Sequence, residues 1–189
     1  GMPIFNRQKM TILITLSLIT ATAHSADFRS AQWGMTMAEV KSLHQGEIPA
    51  NQRKAMVNYE SKLAGLDVLI FYRFDELGGL YQAGYEANAA HSDTNNYVAD
   101  YNQLNTLLRK RYPESGEPMQ VWSNRLFENK PDNWGRAVAL GHLTYKWSYE
   151  TGTNSISHEL HNDKRRNIIH TLLYEAIPDT TDTDILDEL

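Results

Sequence analysis

The stretch Leu143–Ala176, LTYKWSYETGTNSISHELHNDKRRNIIHTLLYEA, decides the fold class. Leu143, Tyr145, Trp147 and Tyr149 alternate with Thr144, Lys146, Ser148 and Glu150, the period-two pattern of a strand with one buried face. Thr151-Gly152-Thr153-Asn154 carries turn chemistry and reverses the chain into Ser155–His161. A basic loop through Lys164-Arg165-Arg166 reverses it again into Ile168–Ala176. Three strands joined by such short connections form an antiparallel meander.

Upstream of this meander, Pro131–Leu140 reads as a short helix with Trp134 and Val138 on one face, ending at Gly141. Met119–Phe127 reads as a strand. Before it, Tyr97, Tyr101, Leu104 and Leu108 recur at helical spacing, after candidate caps at Asp93, Thr94 and Asn95. Tyr112-Pro113 stops that helix. Three further strands precede it: a run through Val57, Tyr59 and Ser61, then Asp67–Phe74 (DVLIFYRF), then Leu80–Ala87 after the Gly78-Gly79 turn. Gly46–Lys54 reads as a polar loop. Thr36 and Glu39 make a capping box, with Met35 and Val40 as its hydrophobic staple, so a short helix starts after Thr36.

The predicted order is therefore α-βββ-α-β-α-βββ. No parallel βαβ alternation occurs, which argues against a nucleotide-binding doubly wound fold. The expectation is an α+β domain: an antiparallel sheet with helices on one face, its repeated helix-then-meander order suggesting two related halves.

The first residues read as an export signal. Gly1 ahead of Met2 reads as a tag residue. Arg7 and Lys9 precede an uncharged run, Met10–Thr22, of about 13 residues, against the roughly 20 needed to span a bilayer. Ala23-His24-Ser25 offers small residues to a signal peptidase, so cleavage is expected after Ser25, with no transmembrane anchor remaining. The expected organisation is leader 1–25, one domain 26–177, and an acidic, mobile tail 178–189. The expected address is the periplasm of a Gram-negative bacterium.

Composition narrows the chemistry. Without the leader the chain holds 16 basic and 23 acidic residues, and five of the acids fall at or beyond Asp179. A nearly neutral body of this kind is no nucleic-acid binder, since that binding needs clustered Lys and Arg. The absence of cysteine excludes thiol catalysis, cysteine-based zinc sites and iron–sulfur clusters. No P-loop, no GxGxxG after a strand, no HExxH and no GxSxG is present, and no cofactor is indicated.

The opening FRSAQWGMTMAEVKSL, with Phe28 followed after four residues by Trp33-Gly34-Met35-Thr36 and then Glu39-Val40, resembles a group of uncharacterised exported bacterial proteins. Tyr112-Pro113, Trp122 and Gly141-His142-Leu143-Thr144 ahead of Trp147 fit the same group. That resemblance implies secretion and an α+β domain. The helix start is also similar to that of outer-membrane assembly lipoproteins of the SmpA/BamE type, whose lipid-bearing cysteine is missing here. The helix-plus-meander order resembles β-lactamase-inhibitor-protein-like folds. Both of these imply a protein-binding role.

Two histidines stand out in the final meander. If the turn pairs Glu150 with Ser155, Trp147 lies opposite His158 and Tyr145 opposite Leu160. A next loop pairing His161 with Asn167 sets His158 opposite His170, giving a row of Trp147, His158 and His170. Two imidazoles so placed can hold a divalent ion or pass a proton. A one-residue slip would instead group Glu159, His161 and His170 on the other face. Neither register supplies the third ligand that catalytic zinc usually takes, so the same residues also read as hydrogen-bonded sheet histidines. Among the aromatics, Trp147 and Tyr72 suit a sheet core, and Trp134 is the expected exposed anchor, a helix-to-sheet contact being its other reading.

The function expected on these grounds is that of an exported periplasmic binding or accessory protein rather than an enzyme. It would hold an envelope protein or a small ligand, with Trp134, Trp147, His158 and His170 as candidate contacts. The alternative is a metal-binding or hydrolytic enzyme built on the His158/His170 row.

Overall fold

The computed structural model describes residues 26–178, so the expected leader 1–25 and the acidic tail beyond Pro178 lie outside the described residues. The first part contains α1 (Met37–Ser42), β1 (Asn51–Arg53), β2 (Met56–Leu63), β3 (Leu66–Phe74) and β4 (Leu80–Ala87). The second contains α2 (Asn95–Arg111), β5 (Met119–Trp122), α3 (Trp134–Ala139) preceded by a 3₁₀ turn (Pro131–Asn133), β6 (Leu143–Glu150), β7 (Asn154–Asn162) and β8 (Ile168–Ala176).

All eight strands join one antiparallel sheet in the order β1-β2-β3-β4-β8-β7-β6-β5. Each meander runs from an outer edge to the middle, and the two meet where β4 pairs with β8, Ala83 opposite Tyr174 and Tyr85 opposite Leu172. The expected α+β class and antiparallel sheet are present, with the two meanders side by side in a single sheet.

The sheet is richer in strand than the sequence reading. β1 lies within the stretch read as a loop: its residues Asn51, Gln52 and Arg53 are all exposed, so no hydrophobic alternation marks them. Conversely, β5 ends at Trp122 instead of Phe127. Asn124 turns the chain by accepting the Leu126 N–H at 3.0 Å, and Phe127 folds into the core under the helices.

Local chemistry explains the helices. The capping box forms as expected, Thr36 Oγ1 accepting the Glu39 N–H at 3.2 Å and Glu39 Oε2 accepting the Thr36 N–H at 2.8 Å. Three basic residues close α2, where cations suit the helix dipole. Tyr101, Leu104 and Leu108 bury its sheet-facing stripe. α3 docks on the start of α2 through Asn95, whose Oδ1 accepts the Gly135 N–H at 2.9 Å and whose Nδ2 donates to the Asp132 carbonyl at 2.8 Å.

The core lies between sheet and helices. One cluster joins Val40 with Tyr59, Ile70, Tyr72 and Leu80. Two others join α2 and α3 to Tyr145, Leu160, Trp147, Ile156 and Leu172.

The Trp33-Gly34 segment latches the two meanders together. Trp33 Nε1 donates to Asn154 Oδ1 at 2.8 Å, and Asn154 Nδ2 donates to the Asp27 carbonyl at 2.7 Å. Gly34, at a left-handed φ of 88°, donates its N–H to the Leu80 carbonyl at 2.8 Å.

Candidate functional site

The two hairpins around β7 decide where its histidines go. The β6–β7 register is the expected one, with Trp147 opposite His158, Tyr145 opposite Leu160 and Glu150 opposite Ser155. The β7–β8 register differs by two residues: Asn162 pairs with Ile168, so His158 lies opposite Leu172 and Leu160 opposite His170. Asp163 sets this loop, its Oδ1 accepting the N–H groups of Arg165 and Asn167 at 2.9 and 2.8 Å, while its own N–H donates to the Asn167 carbonyl at 2.8 Å.

A shift of two preserves the face, because side chains alternate with period two. His158 and His170 therefore still share the helix side, as diagonal neighbours with their Nε2 atoms 2.7 Å apart. The grouping of Glu159, His161 and His170 that a one-residue slip would produce does not form.

The dyad sits in the core. His158 is 0 % exposed and His170 5 %. Tyr101 of α2 stacks on the His158 ring, centroids 4.1 Å apart and planes 8° apart, and donates its hydroxyl to the His158 carbonyl at 3.0 Å. Asn105, one turn further along α2, brings its Nδ2 within 3.1 Å of His158 Nδ1. With Asn105 donating there, His158 carries its proton on Nε2 and donates it to His170 Nε2. Burial, and secondarily the neighbouring His170, holds His158 well below the usual histidine range. Burial pushes His170 down to about 4, with Asp100 pulling partly the other way. Both rings are neutral near pH 7.

This geometry is a hydrogen bond between neutral rings. Two nitrogens on one tetrahedral zinc stand roughly 3.4 Å apart, given bonds of about 2.0–2.1 Å, so the rings must separate before an ion enters. Among the described residues no group of three His, Asp or Glu side chains converges on a metal position.

Of the other two candidates, Trp147 lies on the helix-covered face of the sheet and Trp134 on α3 itself. Trp147 is 3 % exposed, packs on Tyr112 and Tyr149, and donates Nε1–H to the Gly116 carbonyl at 3.1 Å. Trp134 is half-buried, edge-on to Trp122 with centroids 6.3 Å apart, and donates Nε1–H to the Glu128 carbonyl at 3.2 Å. Pro131 and Gly135, which flank it in sequence, set up the 3₁₀ turn and the close α2–α3 contact.

A third buried imidazole, outside the dyad, escaped the sequence reading. His44 stacks on Tyr59, ring centroids 3.9 Å apart, with Nδ1 2.6 Å from Glu47 Oε2 and Nε2 2.8 Å from the Tyr72 hydroxyl. The His44-x-x-Glu47 spacing was its only trace in the sequence.

The uncovered face of the sheet is the other feature that strand alternation alone could not interpret. One row across it runs Asn58, Phe71, Gly84, Leu173, Ser157 and Ser148. The next runs Glu60, Leu69, Glu86, Thr171, Glu159, Lys146 and Met119. On the other side of the first lie Met56, Arg73, Gln82, Glu175, Ser155 and Glu150. Five glutamates thus share these rows with two cations, among small hydroxyls and isolated apolar side chains. At the centre the Arg73 guanidinium lies 4.8 Å from the Phe71 ring and bonds Gln82, which in turn bonds Glu175.

No family profile, curated protein or solved structure matches this chain. The functional reading therefore rests on the geometry: a buried, proton-sharing histidine pair on the helix side and an acidic, uncovered sheet face on the other.

Proposed function

We propose that this protein is an exported, non-catalytic binding module of the bacterial envelope that holds a protein partner on the uncovered face of its sheet. The carrying observation is the asymmetry of the two faces. One is covered by helices and closed around aromatic clusters. The other presents five long glutamates around a centre where Arg73 lies over Phe71, the Phe71 ring covers Gly84, and Ser157 and Ser148 follow Leu173 along the same row. Electrostatic complementarity selects a partner with a basic patch, because unlike charges steer encounter and fix register. Leu69, Leu173 and the 63 % exposed Met119 add apolar contact within that acidic frame. A protein-binding role is also what the resemblance to β-lactamase-inhibitor-protein-like folds implies. The basic, uncharged and small-residue succession of the first 25 residues supports delivery to the periplasm.

The alternative, metal-dependent hydrolysis at His158 and His170, has the dyad itself in its support. Yet His158 is fully buried with both ring nitrogens engaged, by Asn105 and His170, and His170 borders only a crevice of about 10 Å³ beside Leu66, Val68 and Leu104, too small to admit a substrate.

Site-specific photo-crosslinking in the periplasm tests the proposal. A photoreactive residue at Ser157 or Ser148 is expected to yield one discrete protein adduct, and the same residue at Asn102 on α2 none. Adducts from Asn102 alone, or from none of the three, would overturn it.

A further inference from the structure

The helix side holds a concavity at the junction of the two meanders, separate from the uncovered face. Its volume is about 450 Å³, within the size range of small-molecule sites. Its floor is aromatic: Tyr85 of β4 and Tyr174 of β8 flank the central strand pair, and Phe28 packs on both with ring centroids 5.2 and 5.1 Å away. Tyr112, just past α2, forms a wall.

Each half contributes one arginine. Arg29 comes from the tight turn between Phe28 and Ala31, and Arg111 from the last turn of α2, its guanidinium 5.7 Å from the Tyr112 ring. Neither forms an ion pair among the described residues. The acid on the wall, Asp27, has Oδ2 occupied by the Trp33 backbone N–H at 2.9 Å. Two cations against one engaged carboxylate leave the pocket net positive, although the chain as a whole is acidic.

The backbone at Arg29 points the same way. Its φ is 51°, while Ser30 beside it stays out of the left-handed region, so Arg29 fills the first central position of a two-residue turn where glycine is favoured. The left-handed backbone of this turn, shared with the turns at Ala64 and Arg166, places the Arg29 side chain at the pocket rim at a conformational cost that glycine would not carry.

We infer that this pocket binds a small planar carboxylate, its ring stacked among Tyr85, Tyr112 and Tyr174 and its carboxylate forked between Arg29 and Arg111. Guanidinium groups pair bidentately with carboxylates, and flat rings stack on tyrosine without fixing one hydrogen-bond pattern.

The test is a titration of ¹⁵N-labelled protein with benzoate, with benzamide as its neutral counterpart. Benzoate is expected to give saturable shifts at Arg29, Tyr112 and Thr153, and benzamide to bind about tenfold or more weakly. Arg111→Gln should weaken benzoate by a similar factor. Arg29→Gly should do so while leaving the melting temperature equal or higher, because glycine relieves the turn. That pairing separates lost binding from lost folding. The inference is overturned if benzoate causes no saturable shifts there, if benzamide binds equally, or if either variant keeps its affinity. Because the pocket and the uncovered face lie on opposite sides of the sheet, either outcome leaves the crosslinking result free to go its own way.

Discussion

His158 and His170 turn burial into a pH dependence. Both are neutral in the folded protein, since burial depresses their affinity for protons, whereas in the unfolded chain each titrates near 6.5. Above that pH neither state binds the proton and the pair is indifferent to pH. Below it the unfolded state gains protons that the folded state refuses, so stability falls as pH drops from about 6.5. For His170 the loss runs until its folded value near 4, a span worth roughly 3 kcal/mol. Denaturant melts at pH 7.5, 5.5 and 4.5 should show this decline, and His170→Gln should flatten it. An unchanged slope in the variant would place the acid sensitivity elsewhere. These residues were legible in the sequence as a pair, because alternation fixes which positions share a face. Their exact pairing was not legible, because it depends on how Asp163 folds the loop, and their burial was not either, because periodicity does not say which face α2 covers.

Among the elements, the α2–α3 contact gives the sharpest test of packing over propensity. Alanine is a better helix former than glycine by about 1 kcal/mol, so Gly135→Ala in α3 should stabilise the helix taken alone. Here, however, a Cβ at Gly135 would stand 2.4 Å from the Asn95 nitrogen and 2.5 Å from the Thr94 oxygen, backbone atoms with no freedom to yield. The variant is therefore expected to lose about 1–3 kcal/mol, read as a lower urea midpoint with the slope unchanged. A gain would show that α3 does not seat as described. The sequence marked both helices through their caps and apolar spacing, and placed β2, β3, β4, β6, β7 and β8. It concealed β1, whose three polar residues carry no periodic pattern and owe their conformation to pairing with β2. It also overextended β5, where Asn124 imposes a turn inside an otherwise strand-like run.

For the whole molecule, the β4–β8 seam makes two meanders into one body, and the Trp33–Asn154–Asp27 latch ties the amino-terminal segment to the far meander. Asn154→Ala removes both side-chain hydrogen bonds at a buried position and should cost about 2–3 kcal/mol in a single cooperative unfolding transition. Two separate transitions would mean the halves fold independently. The latch also gives a physical reason for the Trp33-Gly34 motif: it holds the halves together and positions the Arg29 turn at their junction. The repeated helix-then-meander order was readable from the sequence. How the halves join was not, since nothing in β4 or β8 alone specifies the other as its partner.

The central claim is that one face of this sheet is closed by helices while the other is free to hold a partner. The absence of native cysteine allows a direct measurement: single cysteines introduced along β7 at Ser155, Ile156, Ser157, His158, Glu159 and Leu160, probed with a maleimide. In purified protein, labelling is predicted to alternate, fast at Ser155, Ser157 and Glu159 and slow at the other three. In intact periplasm the three fast positions should become protected. Loss of the alternation in purified protein would contradict the fold, and open-face cysteines that label as fast in the periplasm as in isolation would contradict the binding role.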